Sequence, residues 1–311
     1  MEKKISDIVS NEAKAIDAII EEFLPAEEGC AKTVMTAMNY SIHVGGKRLR
    51  PMFMQKTYEM FGGTDEEIIH PFMAAIEMIH TYSLCHDDLP AMDNDDMRRG
   101  KKSTHAMFGE AMGILAGDGL LNYAFETAIG AFDLVGDADE AGQIRRISRA
   151  LGVLANKAGI YGMIAGQVVD IESEDKPAGE VTMDTIRFIH ENKTAAMIES
   201  SMMIGAILAG ASDEEVRTVE QIGSDIGLAF QIQDDILDIT GSDDVLGKPT
   251  GSDTKNNKTT YVTLVGLDRA KEDVKTVSQR AVENLSKLPG SGSMAGIFLA
   301  ELIGYLIVRD R

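Results

Sequence analysis

Apolar residues recur at helical spacing through most of the chain, and no stretch alternates apolar and polar residues as a half-buried strand would. That periodicity limits the chain to helix packed on helix. It places candidate helices at residues 2–23, 30–42, 51–61, 65–86, 105–133, 139–171, 182–209, 213–240, 259–286 and 292–309. Asp65 and Asp213 precede acidic first-turn residues, which suit the positive end of a helix. Gly45-Gly46, Gly62-Gly63, Gly136 and Gly210 read as stops. The seven prolines are well spaced, as breaks between helices would be. Val168-Val169 is a β-branched pair inside a helical pattern rather than a strand. The polar breaks at 172–180 and 241–258 do not interrupt the pattern beyond them. The expectation is therefore a single all-α domain over residues 1–311, one large helical bundle.

The formal charge of −20 argues against a nucleic-acid surface, which needs a basic footprint. Two cysteines, Cys30 and Cys85, give no disulfide framework, and a cytoplasmic location fits them. The amphipathic N-terminal segment has no apolar signal-peptide core. No run of about 18 apolar residues predicts a membrane span.

Against this background two acidic clusters stand out. One ends an apolar helix: His80-Thr-Tyr-Ser-Leu-Cys-His-Asp87-Asp88-Leu-Pro-Ala-Met-Asp93-Asn-Asp95-Asp96. Carboxylates this close repel one another, and a divalent cation relieves that. Their hard oxygens suit Mg²⁺, which keeps waters and bridges to substrate phosphates. A solvated helix end would carry the same residues. The other cluster, Phe230-Gln231-Ile-Gln-Asp234-Asp235-Ile-Leu-Asp238, lies within an apolar helix. Asp234 and Asp238 share a face, and Gln231 lies on the same stripe. Buried carboxylates are costly without a partner, so these face solvent or hold metal. Two such clusters suggest a cavity with several Mg²⁺ ions.

Cations bunch beside the acids. Gly45-Gly46-Lys47-Arg48-Leu49-Arg50-Pro51 is a glycine turn running into a helix, a setting that favours anions. Arg98-Arg99-Gly100-Lys101-Lys102 follows the first acidic cluster, and Lys248 and Lys258 follow the second. Carboxylates that hold Mg²⁺, with Lys and Arg neutralising the remaining oxygens, make a diphosphate site. Gln167 with Asp170, and Lys193 with Thr194, carry no functional claim by themselves; packing or surface roles account for them better.

Taken together, the motifs resemble the trans-prenyltransferase, or polyprenyl synthetase, family, and within it the bacterial farnesyl diphosphate synthases. The family's DDxxxxD and DDxxD motifs match Asp87-Asp88-Leu-Pro-Ala-Met-Asp93 and Asp234-Asp235-Ile-Leu-Asp238. GGKRxRP, RRG, GQxxD, KT, FQxxDD and GKxxGxD follow in family order, from about Thr33 onward. The resemblance implies the isoprenoid synthase fold around a deep central cavity, with the two aspartate motifs facing each other at its mouth, and a homodimer. It implies Mg²⁺ held by Asp87, Asp88, Asp93, Asp234, Asp235 and Asp238. It assigns Lys47, Arg50, His80 and Arg99 to isopentenyl diphosphate. Arg98, Lys193, Lys248 and Lys258 fall to the allylic diphosphate, with Thr194 and Gln231 near the reacting carbon. The catalytic set is then Asp87, Asp88, Asp93, Lys193, Thr194, Gln231 and Asp234. Cys85 and Ala165 depart from the common family pattern, neither at a ligand position.

For product length, a helical wheel puts Ser83 most directly under Asp87, with Tyr82 more than one turn below, and does not choose between them. The resemblance favours Tyr82, since an aromatic residue there is typical of farnesyl-producing relatives. The expected reaction joins dimethylallyl or geranyl diphosphate to isopentenyl diphosphate, giving farnesyl diphosphate. The alternatives are a geranylgeranyl diphosphate synthase or an inactive subunit of a heteromeric synthase. A terpene cyclase would not need Lys47, Arg50 and Arg99. A metal phosphohydrolase built on His86-Asp87 would need further histidine ligands, and six histidines without suitable spacing do not provide them.

Overall fold

A computed structural model describes residues 2–174, 176–177, 179–240 and 259–308. It divides into two compact units, one of Asp7–Gln55 with Asp65–Leu151, the other of Met1–Ser6, Lys56–Thr64 and Gly152–Arg311. Among the described residues the fold is helical apart from one two-stranded hairpin, and no helix is long and apolar enough to cross a membrane.

The first unit is organised by α4 (Glu66–Asp87), whose residues from Ile68 to Ile79 are almost all buried. It packs on α6 (Glu110–Ile129), which presents the small buried residues Ala116, Gly117, Ala124 and Ala128. Around them lie α2 (Lys32–His43) and α5 (Thr104–Phe108), with parts of α1 (Glu2–Glu21), α3 (Leu49–Met60) and α7 (Glu140–Ala158). Strands β1 (Met97–Arg98) and β2 (Lys101–Lys102) pair antiparallel through the turn Arg99-Gly100.

In the second unit come α8 (Met163–Glu174), α9 (Met183–Ile189), a π-helical turn (His190–Ala195) and α10 (Ala196–Ala209). They are followed by α11 (Asp213–Thr240), α12 (Tyr261–Val265), α13 (Leu267–Ser286) and α14 (Met294–Val308). Helix α10 is buried nearly all round, and α11 packs against both α10 and α13. An apolar cluster of Ile186, Ile189, Ile232, Ile236, Val262 and Val274 forms the floor under the second acidic motif.

Several sequence expectations change in detail. Left-handed glycines cut two of the long helices: Gly109 (φ 89°) separates α5 from α6, and Gly266 (φ 84°) separates α12 from α13. Turns at Gly159–Gly162 divide residues 139–171 into α7 and α8. Residues 182–209 are interrupted by the π-helical turn. The stop at Gly210 stands, with φ 90° at the C-cap. Helix α6, by contrast, ends at Ile129, ahead of Gly136. Helix α11 is capped by Ser212: its Oγ accepts from the Glu215 N–H (3.3 Å), and Glu215 Oε2 accepts from the Ser212 N–H (2.7 Å). Pro71 lies inside α4, and Pro51 inside the first turn of α3, where a missing N–H costs nothing.

Candidate active site

In the first unit, α4 delivers Tyr82, Ser83, His86 and Asp87 on its last two turns. The chain then folds back. The Asp93 N–H donates to the Asp87 carbonyl (2.8 Å), and the Asp95 N–H to that of Asp88 (3.1 Å). Asn94 takes the left-handed conformation this needs (φ 53°), which Asn tolerates better than most residues. The loop thus brings the backbones of Asp87 and Asp93 together. Asp87 is half-buried and Asp93 exposed.

Asp88 differs from both. It is buried at 2% exposure, and Arg98 grips it: Nε donates at 3.0 Å and Nη2 closes a second bond. Burial nonetheless holds its carboxyl above the usual range, against the pull of Arg98. The hairpin turn supplies this contact. Arg99 and Gly100 both have positive φ (51° and 77°), as a tight hairpin turn of the primed type requires. The turn sends Arg98 back to Asp88 and lays the Arg99 guanidinium over Gly46, where any side chain would overlap it.

Arg48 anchors the Gly45–Arg50 loop. It is buried with φ 49°, and donates to Asp17 Oδ1 (2.6 Å), Glu77 Oε1 (2.6 Å) and the Ile42 carbonyl (2.7 Å). Lys47 beside it is exposed. Burial pulls Arg50 down to about 10, with Arg99 adding to the shift and Glu77 opposing it. Its buried Nε has no hydrogen-bond partner among the described residues. His80 is held well below its ordinary value by burial and then by Arg50, Arg99, Arg48 and Arg98, so it is neutral at pH 7. Four guanidiniums around one neutral imidazole, with Glu77 as a buried counter-charge, make an arrangement that an anion stabilises.

The second unit holds a cavity of about 200 Å³. Its lining includes Asp170, Lys193, Thr194, Gln231, Asp234 and Asp238. Lys193 Nζ donates to Asp170 Oδ2 (2.6 Å), and Thr194 Oγ1 to Gln231 Oε1 (3.0 Å). Lys193 and Thr194 reach the cavity from the π-helical turn, a geometry often found at functional sites. The turn fits because two neighbours have no side chain: one on Gly166 would strike the backbone of Asn192 and Lys193, and one on Gly227 would strike Ala195. Asp234 is half-buried, whereas Asp235 and Asp238 are buried. Asp235 Oδ2 accepts from the Tyr261 N–H (2.9 Å) and lies 3.8 Å from His190 Nε2, whose ring stacks on Tyr261.

These positions sort the residues nominated from sequence. Lys47, Arg50, His80, Tyr82, Ser83, Asp87, Asp88, Asp93, Arg98 and Arg99 belong to the first unit. Lys193, Thr194, Gln231, Asp234, Asp235 and Asp238 line the cavity of the second. Lys248 and Lys258 lie outside the described residues. Asp170, His190, Arg48 and Glu77 were given no role from sequence. Glu77 could have been found as the only acid within the apolar core of α4, and Asp170 from its place in the GQxxD motif.

Among the described residues no three carboxylate, imidazole or thiol groups already converge as a metal cage. Mg²⁺ does not need one, since it binds through one or two carboxylates plus phosphate oxygens and waters. Asp87, Asp93 and Asp234 offer such oxygens, and they fit that ion.

Known proteins are similar to this chain in sequence and fold. The family model described as polyprenyl synthetase matches residues 31–289. The chain is 41% identical to the farnesyl diphosphate synthase of Geobacillus stearothermophilus over 96% of its own length and 97% of that protein. It is 44% identical to a chloroplastic geranylgeranyl pyrophosphate synthase of Catharanthus roseus, over 86% of this chain and 72% of the other. Its fold matches the crystal structure of an FPP/GFPP synthase from Zymomonas mobilis with a TM-score of 0.83 and 30% identity, covering 99% of this chain and all of that one. The chain belongs to the polyprenyl synthetase family.

Proposed function

We propose that this chain is a magnesium-dependent farnesyl diphosphate synthase that condenses an allylic diphosphate with isopentenyl diphosphate. The observation that carries the reading is the second unit's cavity, where Lys193, Thr194, Gln231 and Asp234 meet on one surface. The identity to the Geobacillus stearothermophilus enzyme supports the farnesyl product.

Each residue has a task in this reading. Lys47, Arg50 and Arg99 bind the diphosphate of isopentenyl diphosphate, while neutral His80 donates a hydrogen bond without adding charge. Lys193, with Arg98, binds the allylic diphosphate, and Asp170 holds the Lys193 ammonium in place. Asp87, Asp93 and Asp234 would hold magnesium, which when bound neutralises the leaving diphosphate. Asp88 and Asp235 orient Arg98 and α12. The allylic C1–O bond breaks, and the oxygens of Thr194 and Gln231 stabilise the carbocation electrostatically. The double bond of isopentenyl diphosphate attacks C1, and the departing pyrophosphate takes the proton. No protein nucleophile is required. A homodimer and a cytosolic location belong to the same proposal.

Tyr82 is the proposed stop for the growing chain. It is buried at 6% exposure, and burial followed by Asp87 pushes its hydroxyl up to about 12, so the ring stays neutral. The test is incubation with Mg²⁺, labelled isopentenyl diphosphate and each allylic starter, followed by sizing of products. A fifteen-carbon main product, lengthening to twenty carbons or more in Tyr82→Ala, is expected. A twenty-carbon main product from the wild type would instead support a geranylgeranyl diphosphate synthase.

A further inference from the structure

The contact surface of Tyr82 includes a residue to which the reaction gives no task. The ring meets the His86 imidazole edge to face, with centroids 5.8 Å apart and planes at 78°. The two residues are one turn apart on α4, so they share a face. His86 is itself fastened to α6: its Nε2 lies 3.1 Å from the Ile114 carbonyl oxygen and 3.7 Å from Asp118 Oδ1. It reaches that carbonyl only because Gly117 leaves room. A side chain on Gly117 would overlap the imidazole. Gly117 is buried in the middle of α6, where glycine costs helix stability relative to alanine, so its place there calls for a packing reason.

We infer that His86, seated in the notch at Gly117, is a specificity-determining residue that holds the Tyr82 ring across the path of the growing prenyl chain. The inference rests on the proposed synthase activity and on Tyr82 as the stop. The imidazole is held from α6 by a hydrogen bond to the Ile114 carbonyl, with the Asp118 carboxylate beside it. A ring held by an edge contact to a seated imidazole resists a prenyl tail better than one free to change rotamer. Loss of the brace leaves ionisation and the first condensations in place and lets a fraction of chains pass Tyr82.

The experiment compares wild type, His86→Ala, Gly117→Ala and Tyr82→Ala, with the double variant His86→Ala/Tyr82→Ala. Each is incubated with Mg²⁺, geranyl diphosphate and labelled isopentenyl diphosphate to equal substrate conversion. Far-UV circular dichroism checks folding. His86→Ala removes the brace, and Gly117→Ala displaces it while leaving His86 in the chain, so each serves if the other fails to fold. In both, the ratio of products beyond fifteen carbons to fifteen-carbon product is expected to rise about three- to tenfold, the worth of one aromatic edge contact. In the Tyr82→Ala background, His86→Ala should add nothing. An unchanged product ladder in the folded single variants overturns the inference. So does a His86→Ala shift of full size on top of Tyr82→Ala. Absence of any prenyl transfer by the wild type would instead overturn the synthase reading beneath it.

Discussion

Replacing Arg98 by Met tests the Asp88–Arg98 pair. The Asp88 side chain is 3% exposed and that of Arg98 28%, so the variant leaves a buried carboxylate without its guanidinium. Breaking a buried ion pair from one side costs about 3–5 kcal/mol. The sign with pH follows from the raised carboxyl of Asp88. A carboxyl raised in the folded state contributes stability that is fully present below its unfolded value of about 3.9, and loses it as pH rises through the folded value. Without Arg98 that folded value moves higher still. The penalty in Arg98→Met should therefore be small at pH values below the folded value of Asp88 in the wild type, where both proteins lose stability in parallel, and grow by up to about 1.4 kcal/mol per pH unit above that value, until the full cost is reached. Urea titrations followed by circular dichroism between pH 4 and 7.5 measure this. The double variant Asp88→Asn/Arg98→Met, which carries neither charge, should show no such growth with pH. A cost below about 1 kcal/mol, or one that does not change with pH, would mean that the pair behaves as a solvent-exposed one and that Asp88 is not held as described.

Asp87→Ala and Asp234→Ala should each lower kcat by several kcal/mol of transition-state stabilisation while leaving the urea midpoint near wild type, and excess EDTA should abolish wild-type turnover. Full turnover in EDTA would count against the magnesium assignment. Lys47→Ala and Arg50→Ala should raise KM for isopentenyl diphosphate more than for the allylic substrate in steady-state kinetics, and equal effects on both would merge the two groups of cations. Gly166→Ala presses on the backbone of Lys193 and should cost about 1–3 kcal/mol of stability with a fall in kcat, whereas unchanged kcat would separate the π-helical turn from catalysis.

Helix α4 was legible from its periodicity because its apolar residues continue to the first aspartate. The π-helical turn was not. One extra residue in a turn shifts the apolar phase by about 100°, and in α10, buried nearly all round, no phase remains to be read. The breaks at Gly109 and Gly266 had a visible signal, a glycine, but glycine is also tolerated inside helices, and only the left-handed φ separates the two cases. Lys47, Arg48 and Arg50 look alike in sequence. That Arg48 turns inward to Asp17 and Glu77 while Lys47 stays outside depends on a single positive φ at Arg48, which its side chain does not announce. The aspartate motifs were recognisable in the sequence as motifs. The division of labour within them was not, because it depends on which carboxylate Arg98 and the Tyr261 N–H reach first.

The notches at Gly166 and Gly227 bear on the order in which this protein acquires its working parts. A π-helical turn is poorly stable in an isolated helix, so the segment His190–Ala195 has little reason to adopt it before α8 and α11 press against it. Helices on either side can form early from local contacts, while Lys193 and Thr194 take their final direction only when tertiary packing is complete. Under the proposed function, the cavity that would ionise the allylic substrate takes its final shape only with tertiary packing. A partly folded chain with nearly full helical content would then lack the finished cavity that the proposed ionisation needs.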